Sequence, residues 1–242
     1  MLIFLALAAC DGDVAEPPIA NEPEPTPAEP AKPAEPAEPV EPAAPEAPAP
    51  EPIPEALVPP DSHSAAPDTF TIKWETTKGD FTTSCTRSWA PNGADRLHHL
   101  VQSGFYEDVA FFRVISGFMA QFGLHGTPAV TAQWKEATID DDAVTQSNKT
   151  GYLTFATAGP NTRTTQLFIN YGDNARLDSS GFSPVCMVDG DGMNIVNALH
   201  SGYGEGAPRG RGPSQKLIHE QGNAYLKEAF PELDYIKKAS VQ

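Results

Sequence analysis

A chain of 242 residues has room for one sizeable domain or two small ones. Its net charge of −16 is concentrated: residues 11–67 hold 13 of the 32 acidic residues and one lysine, Lys32, which leaves −4 for the remainder. No basic stripe or block occurs, so the electrostatic footprint of a nucleic-acid binder is excluded.

Met1 to Cys10 is apolar but far shorter than the roughly 20 residues that span a bilayer. It reads as the hydrophobic region of a secretory signal, although no basic region precedes it. Leu7-Ala8-Ala9-Cys10 resembles the lipobox of bacterial lipoproteins. That resemblance implies acylation of Cys10 and a membrane-anchored place in the periplasm or cell envelope. Several acyl chains on one cysteine hold firmly where one is marginal. Residues 11–67 follow, with 18 of the 25 prolines and one on every third position from Pro27 to Pro48. Polyproline II repeats every three residues, and so acidic and apolar a composition cannot build a core. A disordered linker is expected here; as a stiff spacer of about 50 residues it would reach about 150 Å at ~3.1 Å per residue.

A folded domain is expected over 68–242. Thr69 to Thr76 alternates with period two and Phe81 to Arg87 follows a Lys78-Gly79-Asp80 turn, which predicts two strands. Ala94 to Val101 has helical spacing and stops at Gly104. Short strands are predicted near 110–115, 118–121, 152–156, 166–170 and 184–188, a second helix over Gly192 to Leu199, and a last strand from Asp234 to Val241. Many short strands with two helices predict a mainly β fold, a closed eight-stranded antiparallel barrel capped by two α-helices. Cys85 and Cys186 both fall in strand-like contexts. A bridge and two buried thiols are open alternatives.

Several features carry no chemistry. The six histidines lack ligand spacing and no Cys-x-x-Cys occurs, so no metal site is expected. Gly204-Glu205-Gly206 with Gly210-Arg211-Gly212 is glycine-rich, but no strand leads into it, so it reads as a plain loop. Asp189-Gly190-Asp191-Gly192 reads as a tight turn.

The chemistry lies in Phe111-Phe112-Arg113-Val114-Ile115-Ser116-Gly117-Phe118-Met119-Ala120-Gln121, where one permanent cation stands among apolar side chains. Taken with Ala158-Gly159-Pro160-Asn161-Thr162, Gln166-Leu167-Phe168-Ile169 and Gly192-Met193-Asn194-Ile195-Val196, the order and spacing resemble a cyclophilin-type peptidyl-prolyl cis-trans isomerase across residues 69–241. The stretch from Gly202 to Lys238 resembles an extension in a bacterial branch of that family. The resemblance implies acceleration of X–Pro isomerisation in exported proteins, with Arg113 and Gln121 as catalytic residues and no cofactor. It implies a proline pocket of Phe118, Met119, Phe168 and Leu177, a peptide groove of Ala156, Thr157 and Gln166, and Phe112 and Phe182 as further substrate-binding residues. Arg176 and Phe182 stand where many eukaryotic members have tryptophan and histidine, so weak cyclosporin binding is expected.

Proline-containing polypeptides are the implied partners, and the chain is expected to act as a monomer. The alternative is a non-catalytic chaperone module that binds Pro-peptides at the membrane. Residue by residue, blander roles compete: Arg113 in a structural ion pair, Gln121 satisfying a loop, and the aromatic side chains as plain core.

Overall fold

The computed structural model describes residues 52–62 and 64–242. The leader, Cys10 and linker residues 11–51 lie outside the described residues. Two long strands, β1 (Thr69–Thr76) and β2 (Gly79–Thr86), form an antiparallel hairpin whose register pairs Phe70 with Cys85, Ile72 with Thr83 and Trp74 with Phe81. Period-two alternation sends these six inward. The Trp74 and Phe81 rings stack at 6.2 Å, and Trp74 Nε1 donates to Thr83 Oγ1 at 3.0 Å, so the buried indole N–H is satisfied.

After α1 (Pro91–Gln102) come β3 (Val109–Ala110), β4 (Arg113–Ile115), β5 (Met119–Phe122), α2 (Pro128–Lys135), β6 (Tyr152–Phe155), β7 (Leu167–Asn170), β8 (Pro184–Val188), α3 (Gly192–Asn197), α4 (Gln215–Ala229) and β9 (Tyr235–Val241). The strands make one antiparallel sheet in the order β3-β9-β1-β2-β8-β6-β7-β5-β4. Its first and last strands are separated in the chain by Phe111 and Phe112 alone. A flat nine-stranded sheet would hold its edges roughly 38 Å apart at ~4.8 Å per strand. Three backbone steps span at most about 11 Å, so the sheet must curl until its edges approach. The segment expected as a single strand near 110–115 is thus two strands on opposite edges, and the count among the described residues is nine rather than eight.

The main core lies inside the curl and includes Ile72, Trp74, Leu97, Tyr106, Phe122, Phe155 and Val185. α1 covers it with Ala94, Leu97, Leu100 and Val101. Cys85 and Cys186 are directly paired on β2 and β8 and form a disulfide. A second cluster of Ala110, Phe112, Leu124, Ile218, Leu226 and Leu233 seats α4 against the sheet.

Two helices were not expected. α2 has only eight residues, two of them β-branched and buried. In α4 the buried positions are Ile218, Gly222 and Leu226, so the apolar stripe lacks a side chain at its centre. Gly222 kinks the helix with φ of 57°, and a Cβ there would lie 2.0 Å from the Gly126 carbonyl oxygen. Only glycine fits that approach.

The folded part also begins before Asp68. Ile53 and Leu57 pack on the core, Trp134 Nε1 donates to Leu57 O at 2.8 Å, and the Ala66 N–H donates to Asp95 Oδ1 at 2.8 Å. The end of the segment expected as linker is therefore held against the domain.

Candidate functional site

Strand alternation decides which side chains leave the core around β4 and β5. Phe112 and Val114 are buried, and Arg113 between them turns to the opposite face. Ala120 and Phe122 enter the core, so Met119 and Gln121 share Arg113's face. Register then sets Arg113 opposite Gln121 and Gln121 opposite Phe168. Three adjacent strands present these side chains in one row, each about 5 Å from the next.

Hydrogen bonds fix the row. Arg113 Nη1 donates to Gln121 Oε1 at 3.0 Å and approaches Met119 Sδ at 3.8 Å. Gln121 Nε2 donates to Gln166 Oε1 at 2.9 Å. The other edge of the guanidinium is not free. Nε donates to Glu205 Oε1 at 2.6 Å and Nη2 to Glu205 Oε2 at 2.7 Å, a bidentate pair. Of five N–H donors, Glu205 takes two and Gln121 one. The second N–H on Nη2 has no hydrogen-bond partner among the described residues. The Glu205 carboxyl is held below its ordinary value, first by the hydrogen bond from Arg113, against desolvation, and further by the Arg113 charge and the Gly206 N–H.

Arg113, Met119, Gln121 and Phe168 line a cavity of about 250 Å³. Phe118, Ala156, Thr157, Leu177 and Phe182 complete its expected walls. Gln166 lines an adjoining recess of about 230 Å³ with Gln121, Ala156 and Thr157. Phe112 does not join them. It is buried in the α4 cluster and faces a different cavity, of about 450 Å³, which shares Arg113 and Glu205 with the first.

Each wall has its own support. Phe182 meets Phe168 edge-on at 5.7 Å. Asn174 Nδ2 donates to Phe118 O at 2.9 Å. Leu177 rides on the 3-10 turn Ala175–Ser180, where Asp178 accepts from Ser147 Oγ at 2.5 Å, the Asn148 N–H at 2.9 Å and Asn148 Nδ2 at 2.8 Å. Asn148 Nδ2 also donates to Phe182 O at 2.9 Å. Desolvation pushes the Asp178 carboxyl up, but the hydrogen bonds from Ser147 and Asn148 together outweigh it and leave the group below its ordinary range. The Thr157 hydroxyl is engaged within its own loop, with Thr162 Oγ1 at 2.9 Å and with the Gly159 backbone. Arg176 is exposed, with its guanidinium 4.7 Å from the Phe118 ring centre and hydrogen-bonded to Asn174 Oδ1 at 3.0 Å.

Three wall residues were not singled out in the sequence: Glu205, Arg209 and Gln215. All come from the 202–238 stretch. The only sign was an acidic residue between two glycines, and nothing local shows that it returns to Arg113 from 92 positions away. Among the described residues, no group of three or more His, Cys, Asp or Glu side chains is placed to hold a metal ion.

A curled antiparallel sheet with an arginine and a glutamine beside an apolar notch on its outer face defines the cyclophilin-like class. The comparisons agree. Residues 70–218 match the family model for cyclophilin type peptidyl-prolyl cis-trans isomerase/CLD. A peptidyl-prolyl cis-trans isomerase of Synechococcus elongatus is 33% identical over 130 residues, covering 53% of this chain and 87% of that protein. One from Arabidopsis thaliana is 30% identical over 138 residues, covering 54% and 80%. A crystal structure of a Cryptosporidium parvum cyclophilin type peptidyl-prolyl cis-trans isomerase matches the fold with TM-score 0.53 at 22% identity, covering 72% of this chain and 98% of that one. The same Cryptosporidium protein in the presence of the dipeptide Ala-Pro gives TM-score 0.52. The chain belongs to the cyclophilin-type peptidyl-prolyl cis-trans isomerase family and is an enzyme of that class.

Proposed function

We propose that the domain accelerates X–Pro isomerisation in exported proteins, with Arg113 donating a hydrogen bond to the proline nitrogen in the twisted transition state. The planar imide has a barrier of ~18–20 kcal/mol and exchanges unaided in roughly 10–100 s. Near 90° of twist resonance is lost, the nitrogen becomes pyramidal, and its lone pair becomes an acceptor that neither flat isomer offers. A donor fixed over that nitrogen stabilises the transition state selectively. Raising a rate from ~0.01 to ~100 s⁻¹ takes about 5.5 kcal/mol. A charged hydrogen bond contributes about 1.5–3 kcal/mol of this, and positioning of the ring and flanking peptide supplies the remainder.

The observation that carries the reading is the row Arg113, Gln121 and Phe168 beside a cavity of about 250 Å³, with one Arg113 donor unpaired among the described residues. Phe118, Met119, Phe168, Leu177 and Phe182 suit a five-membered ring, and Gln121 with the Ala156–Thr157 backbone suits the flanking peptide. The Cryptosporidium relative's structure in the presence of the dipeptide Ala-Pro supports a proline-containing ligand. In an X–Pro exchange assay on the full chain, Arg113→Ala should lower the maximal rate by about 10- to 150-fold with little change in peptide affinity. An unchanged rate would refute the chemistry.

The Glu205 pair supports a second reading, a Pro-peptide binder without catalysis, because it ties up part of the guanidinium. Absence of any acceleration by the wild-type chain would select it. For location, the apolar leader ending in Cys10 and the Cys85–Cys186 bridge support export to an oxidising envelope compartment. Labelled palmitate should enter the chain in a bacterial host and be lost in Cys10→Ser.

A further inference from the structure

We infer that Glu205 is the positioning residue of the isomerase reaction: its carboxylate fixes the Arg113 fork so that the Nη1–Nη2 edge is presented to the proline cavity. The inference rests on the role of Arg113 proposed above.

Three observations carry it. First, the two contacts of 2.6 and 2.7 Å occupy the Nε–Nη2 edge alone. Gln121 holds Nη1 from the other side at 3.0 Å. A planar fork held at both ends cannot rotate, and the edge left over carries the unpaired Nη2 donor. The acceptor in the twisted imide is a neutral nitrogen, so direction of the donor matters more than net charge in the cleft.

Second, the loop that carries Glu205 is built to hold it. Glu205 Oε1 accepts the Gly206 N–H at 2.9 Å, and Glu205 O accepts the Gly212 N–H at 2.9 Å. Gly210 donates to Gly206 O at 3.0 Å, and Ala207 to Gly212 O at 3.1 Å. A Cβ on Gly210 would fall 2.2 Å from the Glu205 carbonyl oxygen, a backbone atom that the surrounding bonds prevent from moving. The glycines that looked like a plain loop are what lets the turn close tightly around this residue.

Third, a stabilising role alone does not explain the arrangement. The two side chains are 21% and 34% exposed, and whatever such a bidentate pair adds to folding it would add equally at any site on the surface. The same pair forms part of the wall of the proline cavity, where the direction of the fork has a consequence.

The test is NMR exchange spectroscopy on an X–Pro peptide with the full chain, which reads the catalysed rate and the peptide Kd separately. Glu205→Ala should lower the maximal rate about tenfold and change Kd less than twofold. Glu205→Gln keeps one acceptor oxygen and should recover part of that loss. The Arg113 Nε–H resonance, protected in the wild type, should broaden through water exchange in Glu205→Ala.

A Glu205→Ala rate within twofold of wild type, or faster, would overturn the inference. So would a tenfold weaker Kd at an unchanged rate, which would make Glu205 a binding wall. Should Glu205→Ala fail to fold, Glu205→Gln decides: a rate equal to wild type despite loss of the Nε–H protection overturns it. The two levels separate cleanly. An inactive wild type removes both readings, whereas an active wild type, a slow Arg113→Ala and fast Glu205 variants remove only this one.

Discussion

Arg113, Gln121 and Phe168 illustrate what a sequence can say about a site. Their membership of one site was legible through the family resemblance, while the row they form is set by the register of β4, β5 and β7. The partner that completes Arg113 was not, because ion pairs between distant segments leave no periodic trace. Phe112, expected among the substrate-binding residues, is the next residue to Arg113 and therefore lies on the opposite face of the strand, where it packs under α4. At this same scale Asp178 allows a signed prediction. Its folded pKa lies below the ordinary 3.8 because hydrogen bonds from Ser147 and Asn148 outweigh desolvation. A depressed carboxyl adds stability that is complete above the unfolded value and fades as pH falls through the folded one. Asp178→Asn should therefore be less stable than wild type in urea at pH 6, and the gap should narrow towards pH 2. A gap that is constant with pH would mean that ionisation of Asp178 contributes nothing. Because Asp178 and Asn148 hold the turn behind Leu177 and Phe182, the variant should also weaken peptide binding at pH 6.

Among the elements, those with an unbroken period were read correctly: β1 and β2 through alternation, α1 through its Ala94, Leu97, Leu100 and Val101 stripe. α4 was missed because its stripe has a glycine where the central apolar side chain would stand. That glycine is a packing requirement. Gly222 has φ of 57° and ψ of −138°, and Asn223 N donates to Gly126 O at 2.8 Å across the same contact. Alanine there meets both strain and a backbone oxygen. Gly222→Ala should destabilise the domain by about 1–3 kcal/mol, seen as a lower urea midpoint. Since α4 follows directly on the loop that holds Glu205, the variant should also lose part of the catalysed rate. Full stability in Gly222→Ala would show that the helix can straighten without leaving Gly126.

On the scale of the whole molecule, the curl and the cleft occupy opposite faces of one sheet, and this separates stability from activity. The disulfide joins β2 to β8 within the core, across a sequence separation of 101 residues. The row of Arg113, Gln121 and Phe168 lies on the outer face of β4, β5 and β7. Whether the two cysteines would pair was not legible: strand contexts suit a bridge and a buried thiol equally, and only the register of β2 against β8 brings them opposite each other. Closing a loop of that length removes much unfolded-chain entropy, up to about 4.7 kcal/mol in the simple model and typically about 2–4 kcal/mol as measured. A Cys85→Ala, Cys186→Ala double variant should lose stability of that order, and reductant should do the same to the wild type but nothing to the variant. The X–Pro exchange rate at 25 °C should stay within twofold in both cases, because neither cysteine lines the cavity. If reductant left the urea midpoint of the wild type where it was, the bridge would have no structural role. If it slowed exchange while the fold remained intact, core and cleft would be coupled through the sheet, and the two faces would not be separate.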